Sequence, residues 1–194
     1  MIKIAITGSI ASGKSLVEEI FRQKGAVILD ADEITHELLG KNKEVIRKVR
    51  QLFMPIDVVN ESGSIDRKKV GEIAFPDKQK LKQLEDIIHP EVKRVVEEFF
   101  RTDKGMAVVS VPLLYEAGME NMFNFVILVT ADENIRLQRL VENRNLTKEA
   151  ALSRIKSQNF GQDKAKKADF VIENNTSVAE LRFDVENIIE KIKQ

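Results

Sequence analysis

The sequence predicts an α/β fold built on a parallel sheet, and three observations carry that prediction. Short apolar runs alternate along the chain with segments of helical periodicity. Most of those runs are continuous stretches of Val, Ile and Leu, the habit of strands covered on both faces. The first run, Ile2-Lys3-Ile4-Ala5-Ile6, passes through a glycine-bearing turn directly into a helix-like pattern with Val17, Ile20 and Phe21.

That turn is Gly8-Ser9-Ile10-Ala11-Ser12-Gly13-Lys14-Ser15, which is G-x-x-x-x-G-K-[ST] between a strand and a helix. Gly8 and Gly13 permit backbone geometry that lets successive N–H groups curl around an anion. The helix that follows adds the positive end of its dipole. Lys14 is placed to meet outer phosphates, and the Ser15 hydroxyl is a ligand for Mg²⁺, which keeps water and phosphate oxygens in the rest of its shell. The bland alternative is a Gly/Ser turn joining strand to helix. All four fixed positions match, so the expectation is a nucleoside triphosphate site.

Composition narrows the class. A chain of 194 residues suffices for one domain with a substantial core. Apolar content of 43% and charge of 32% describe a soluble globular protein. Lys+Arg and Asp+Glu balance at 31 each, so nothing advertises a polyanion-binding protein. The absence of cysteine excludes disulfides and thiolate metal sites. The first residues read as a strand entering a loop, not a signal peptide, and no apolar run approaches membrane-spanning length. A cytoplasmic protein is expected, with no nucleic-acid, membrane or obligate protein partner.

The first helix is expected from about Lys14 to about Gln23, with Gly25 marking its end. Ala26-Val27-Ile28-Leu29 reads as a buried parallel strand, ending in Asp30-Ala31-Asp32. Ligands of open parallel sheets sit beyond the carboxyl ends of strands, so this carboxylate pair is expected near the loop. The alternative is that both aspartates cap the next helix. One helical pattern then covers Ile34 to about Phe53, followed by a loop from Met54 to Arg67 with Pro55, Asn60 and Gly63. Helix resumes near Lys68, breaks around Pro76-Asp77, and meets a kink or boundary at His89-Pro90. About 75 residues of helix between the second and third strands exceed an ordinary crossover, which suggests an insertion over the substrate side. Strands follow at Met106–Val111, Phe125–Val129 and Phe170–Ile172, a charged helical segment lies between the last two, and an amphipathic helix closes the chain from Val178.

Laid out this way, the chain resembles the dephospho-CoA kinase family over nearly its whole length. The resemblance rests on the loop, Leu29-Asp30-Ala31-Asp32, Asp66-Arg67, Leu84-Glu85 with His89-Pro90, and Pro112-Leu113-Leu114-Tyr115-Glu116. Gln138-Arg139-Leu140 with Arg144, Arg154 with Gln158, and Ala168-Asp169 with Asn174 complete it. It implies a P-loop NTPase/kinase fold with five parallel strands, a helical acceptor-binding insertion and a mobile lid. One domain would span the chain: core about 1–33, 105–131 and 168–194, insertion about 34–104, lid about 132–167.

The implied reaction is phosphoryl transfer from ATP, with Mg²⁺, to the ribose 3′-hydroxyl of 3′-dephospho-CoA, giving CoA and ADP. Asp32 looks like the family's carboxylate that orients and deprotonates that hydroxyl, with Lys14 and Arg139 as the other catalytic groups. Asp30 could assist the metal's water shell. Ala11, Ser12, Gly13, Lys14, Ser15 and Leu16 would hold the ATP phosphates, with Ser15 on the metal. Arg144 would take a phosphate role from the lid, and Asn174 would lie near the adenine, its alternative being a turn asparagine. Arg67 and His89 would face the acceptor with Asp32, the alternative for Arg67 being a salt bridge to Asp66. Glu116 stays open between a metal-sphere acid and a structural one, Arg136 reads as surface, and His36 as an ordinary helix residue. Three positions depart from the family. Ala11 and Ser9 replace common glycines, so neither is expected to need a glycine-only conformation, and Leu16 replaces a threonine. Asn159-Phe160-Gly161-Gln162 matches only loosely.

Rival readings are another small-molecule kinase, acting on a nucleoside monophosphate or shikimate, and a GTP-dependent switch. The switch would need Asp-x-x-Gly and Asn-Lys-x-Asp, and neither occurs in the chain.

Overall fold

The computed structural model describes residues 1–102, 105–157 and 162–194. In chain order the elements are β1 (Ile2–Gly8), α1 (Lys14–Gln23), β2 (Val27–Asp30), α2 (Ala31–Lys41), α3 (Lys43–Phe53), α4 (Arg67–Ala74) and α5 (Lys78–Thr102). There follow β3 (Met106–Ser110), a 3₁₀ turn (Glu120–Met122), β4 (Phe125–Thr130), α6 (Glu133–Arg144), α7 (Lys148–Ser157), α8 (Gln162–Lys167), β5 (Phe170–Glu173) and α9 (Val178–Lys193). The chain forms two compact units, Met1–Leu29 with Asp103–Gln194, and Asp30–Thr102.

The five strands lie in the order β2-β3-β1-β4-β5. β1 runs parallel to both neighbours, with Ile4 opposite Val108 on one side and Phe125 on the other, and β4 runs parallel to β5. Side chains alternate along β1, so Ile4 and Ile6 share a face. They are fully buried in one cluster with Val17, Ile20 and Phe21 of α1 and Leu181, Val185, Ile189 and Ile192 of α9. Each such side chain contributes about 1.5–3 kcal/mol by leaving water. This packing fixes α1 against the sheet and puts the residue 8–13 turn at the carboxyl end of the central strand. α9 begins with a capping box between Ser177 and Glu180, which satisfies its first N–H groups.

β2 departs from expectation. It reads as buried, yet it is an edge strand, with Val27 49% exposed and Ile28, Leu29 and Asp30 half-buried. Its apolar run is covered incompletely because only one neighbouring strand pairs with it.

In the second unit α5 packs against α2, α3 and α4. Val45, Val49 and Phe53 line the inner face of α3 at four-residue spacing. Two sequence expectations are corrected here. The pattern read as one helix to Phe53 is two helices, because Asn42 has extended backbone and its Oδ1 accepts from the N–H groups of Glu44 and Val45, starting α3. At His89-Pro90, where a kink or boundary is expected, there is no boundary, and α5 runs through Pro90. A proline removes one helix hydrogen bond, and the buried Ile88, Val92 and Val96 on either side hold the two halves in register.

Candidate active site

The loop after β1 is shaped by two glycines. A Cβ at Gly8 would lie 2.2 Å from the Val129 carbonyl oxygen, so only a bare Cα lets the turn pass β4. Gly13 has φ +97, and a Cβ there would meet Asn174 Nδ2 at 2.1 Å. Ala11 sits at φ +58, in the left-handed region. The position therefore does not demand glycine, but alanine occupies this region at a steric cost.

α1 starts at Lys14 with no side-chain cap and no acid in its first turn. With neither cap nor acid there, the positive dipole end of the helix favours an anion. The Lys14 ammonium folds back over the loop and donates to the carbonyls of Gly8 at 2.8 Å and Ser9 at 3.3 Å. Ser12 Oγ is buried and has no hydrogen-bond partner among the described residues. Ser15, the second residue of α1, is exposed, and Leu16 is half-buried against the core.

Two residues reach the loop from far along the chain. Arg139 Nη1 donates to the carbonyls of Ala11 and Ser12, both at 3.3 Å, and Nη2 to the Asn174 carbonyl at 3.0 Å. The buried Asn174 side chain donates through Nδ2 to the Ser12 carbonyl at 2.8 Å. Its own N–H continues the β4 ladder to the Thr130 carbonyl. Arg144 ends α6 with an exposed side chain, and Asn145 beyond it takes the left-handed C-cap conformation. Arg136 turns back to the Ala131 carbonyl. Glu116 pairs with Lys164 at 2.6 Å, and the Tyr115 hydroxyl donates to the Lys164 carbonyl, which favours the structural alternative for that acid. Gln158, and Asn159 to Gly161 after it, lie outside the described residues.

The second unit carries the other candidates. Asp30 is the N-cap of α2, its carboxylate accepting the Asp32 N–H at 2.7 Å. Asp32 stands in the first turn with an exposed side chain. Arg67 begins α4, whose N-cap is Asp66, accepting from the Lys69 N–H. Arg67 does not pair with Asp66; its guanidinium donates to His36 Nδ1. Sequence reading missed that role for His36, since no local signal links positions 31 residues apart. Phe75, 75% exposed, lines a shallow hollow beside Arg67. His89 is half-buried on α5, and burial is the first cause that holds its pKa below the ordinary 6.5.

Among the described residues no helix is long and apolar enough to cross a membrane. The family model for dephospho-CoA kinase matches residues 2–180. A dephospho-CoA kinase from Listeria innocua is 38% identical over 192 residues, covering 97% of this chain and 96% of the relative. A crystal structure from Thermus thermophilus superposes with a TM-score of 0.83 at 34% identity, covering 98% of this chain and 97% of the other. The dephospho-CoA kinase from Campylobacter jejuni gives 0.72 at 34% identity, covering 98% and 96%. With a P-loop kinase sheet, an uncapped helix behind the glycine loop and this match along its length, the chain belongs to the dephospho-CoA kinase family.

Proposed function

We propose that the protein transfers the γ-phosphoryl group of ATP to the ribose 3′-hydroxyl of 3′-dephospho-CoA, releasing CoA and ADP. The observation that carries the reading is the uncapped, acid-free N-terminus of α1 behind the Gly8–Ser15 loop. Family membership removes the rival acceptors, a nucleoside monophosphate or shikimate, from favour.

The bond that forms joins the acceptor 3′-oxygen to the γ-phosphorus, and the bond that breaks joins that phosphorus to the β,γ-bridging oxygen, so ADP leaves with the electron pair. The hydroxyl proton goes to the Asp32 carboxylate. An unperturbed carboxylate of pKa about 4 is a weak base for an alcohol. A loose transition state loses the proton late, so Asp32 contributes mainly by orienting the nucleophile. Lys14 turns its ammonium from the Gly8 and Ser9 carbonyls toward the transferred phosphoryl. Arg144 supplies a second, permanently charged cation from α6. The exposed Ser15 hydroxyl beside Lys14 fits Mg²⁺, which when bound neutralises charge on the β- and γ-phosphates. Ala11 to Leu16 hold the phosphates through backbone N–H groups, Asn174 flanks the nucleotide, and Arg67 and His89 bind the acceptor. Arg67, steadied by His36 and adjacent to the apolar Phe75, suits an acceptor that joins phosphates to an uncharged arm. The protein acts in the cytoplasm on these small molecules alone.

The test is ADP formation from Mg-ATP with and without 3′-dephospho-CoA, the product being checked by mass. Acceptor-dependent ADP with CoA as product supports the reading. Phosphorylation of shikimate or a nucleoside monophosphate instead would discard the acceptor and leave the loop.

A further inference from the structure

We infer that Arg139 and Asn174 are positioning residues that clamp the phosphate loop into its anion-binding shape before nucleotide arrives. The inference rests on the reading of this loop as the ATP site.

The loop carries an intrinsic conflict. Ala11 is held at φ +58, a region that an alanine resists and a glycine would not. Such a conformation persists only where the surroundings over-determine it. Two sets of contacts do so. Ile10 and Ala11 pack against the small apolar cluster of Leu140, Ala151 and Ile155, so the alanine methyl has a place that glycine would leave unfilled. Arg139, the residue before Leu140, then caps the successive carbonyls of Ala11 and Ser12, and Asn174 adds a second donor to the Ser12 carbonyl.

What the clamp achieves follows from peptide geometry. In a trans peptide the C=O and the next N–H point in opposite directions. Fixing the Ser12 carbonyl toward Arg139 and Asn174 therefore fixes the Gly13 N–H away from them, and fixing the Ala11 carbonyl turns the Ser12 N–H to the opposite side, where it donates to the Ser9 carbonyl at 3.2 Å and closes the turn. A cation on the carbonyl side also offsets the repulsion between carbonyls turned to one side. The anchors are themselves fixed. Asn174 is tied to the end of β4 by its N–H, and it accepts from Arg139 through its own carbonyl, so loop, α6 and the β5 exit form one hydrogen-bonded unit. Arg139 thus acts on the phosphates through the loop backbone, not as their ligand.

The test compares the full-length wild type with Arg139→Ala and Asn174→Ala. Three readouts are taken: amide hydrogen exchange of residues 8–13 without nucleotide, calorimetric Mg-ATP binding, and the split between KM and kcat. The expected result is faster loop exchange in both variants without any ligand. KM and Kd for Mg-ATP should rise about tenfold, with kcat lowered less than about threefold, as for loss of preorganised ground-state binding. Asn174→Ala guards against a general folding defect of the arginine variant, since it leaves α6 intact. Unchanged loop exchange with a collapse of kcat in Arg139→Ala would overturn the inference and make Arg139 a phosphate ligand. Unchanged exchange with unchanged kinetics would also overturn it. Wild-type protein that binds no Mg-ATP would fail the reading of the site itself, while the exchange data would still decide the clamp.

Discussion

Gly13 and Asn174 share a space that admits only one side chain: a Cβ on Gly13 would lie 2.1 Å from Asn174 Nδ2, which itself bonds the Ser12 carbonyl. Gly13→Ala is therefore opposed twice, by this collision and by the backbone at φ +97. The left-handed region costs an L-residue roughly 1–2 kcal/mol. The expected outcome is a fall of about 100-fold or more in kcat/KM for ATP in Gly13→Ala, equivalent to about 2.7 kcal/mol. Trimming the obstacle in Gly13→Ala/Asn174→Ala should recover less than about tenfold of it, because the backbone strain remains. Full recovery in the double variant would show that the collision alone matters.

Ala11 tests the opposite balance. Ala11→Gly relieves roughly 1–2 kcal/mol of left-handed strain. It also removes a methyl packed beside Leu140, worth about 0.8 kcal/mol, and adds about 0.5–1 kcal/mol of chain entropy. These effects nearly cancel, so the melting temperature should stay within about 4 °C of wild type. Ala11→Val has no such compensation, since a β-branched residue is a true outlier there. It should destabilise by about 1–3 kcal/mol and weaken ATP binding, checked by thermal melts and calorimetry. A valine variant as stable as wild type would contradict the left-handed assignment.

The two aspartates after β2 separate structure from chemistry. Asp30 caps α2, so Asp30→Ala should cost about 1 kcal/mol of stability, while Asp30→Asn, itself a good cap, should cost little. Asp32→Asn should melt within about 2 °C of wild type and lose about 10²–10⁴ in kcat. Melts and acceptor-dependent ADP formation on the three variants decide the assignment. Full activity in Asp32→Asn would move the orienting role elsewhere.

How much was legible depended on how local each signal is. The loop, its flanking strand and α1 were readable because glycine geometry and periodicity lie within a few residues of each other. The break at Asn42 was not, since one capping side chain interrupts an apolar pattern that otherwise continues from Leu39 to Val45. Continuity through Pro90 depends on Ile88, Val92 and Val96 packing in the folded unit, which no local rule about proline contains. The exposure of β2 follows from strand order, a global property. The candidate site divides the same way. Lys14 and Ser15 are set by the motif. The Arg67–His36 contact and the bonds from Arg139 to the loop span 31 and 128 or 127 residues, and only the fold brings them together.

His89 gives a pH-dependent prediction whose sign is fixed by its surroundings. Burial comes first among the causes and lowers its pKa from 6.5; Glu85 and Asp86 oppose this, and Lys93 and Lys82 reinforce it. The folded protein therefore takes up this proton at a lower pH than the unfolded chain. As pH falls below 6.5 the unfolded chain binds the proton first, so stability is lost through the interval down to the folded value and levels off beneath it. In His89→Gln that component vanishes, leaving a constant offset from altered packing on α5. Urea midpoints at about pH 7.5, 6.5 and 5.5 should fall more steeply for wild type than for the variant. Parallel slopes would mean that the buried imidazole is as easily protonated in the fold as outside it. A steeper fall in the variant would reverse the sign, placing the Glu85 and Asp86 charges above desolvation in setting the protonation of His89.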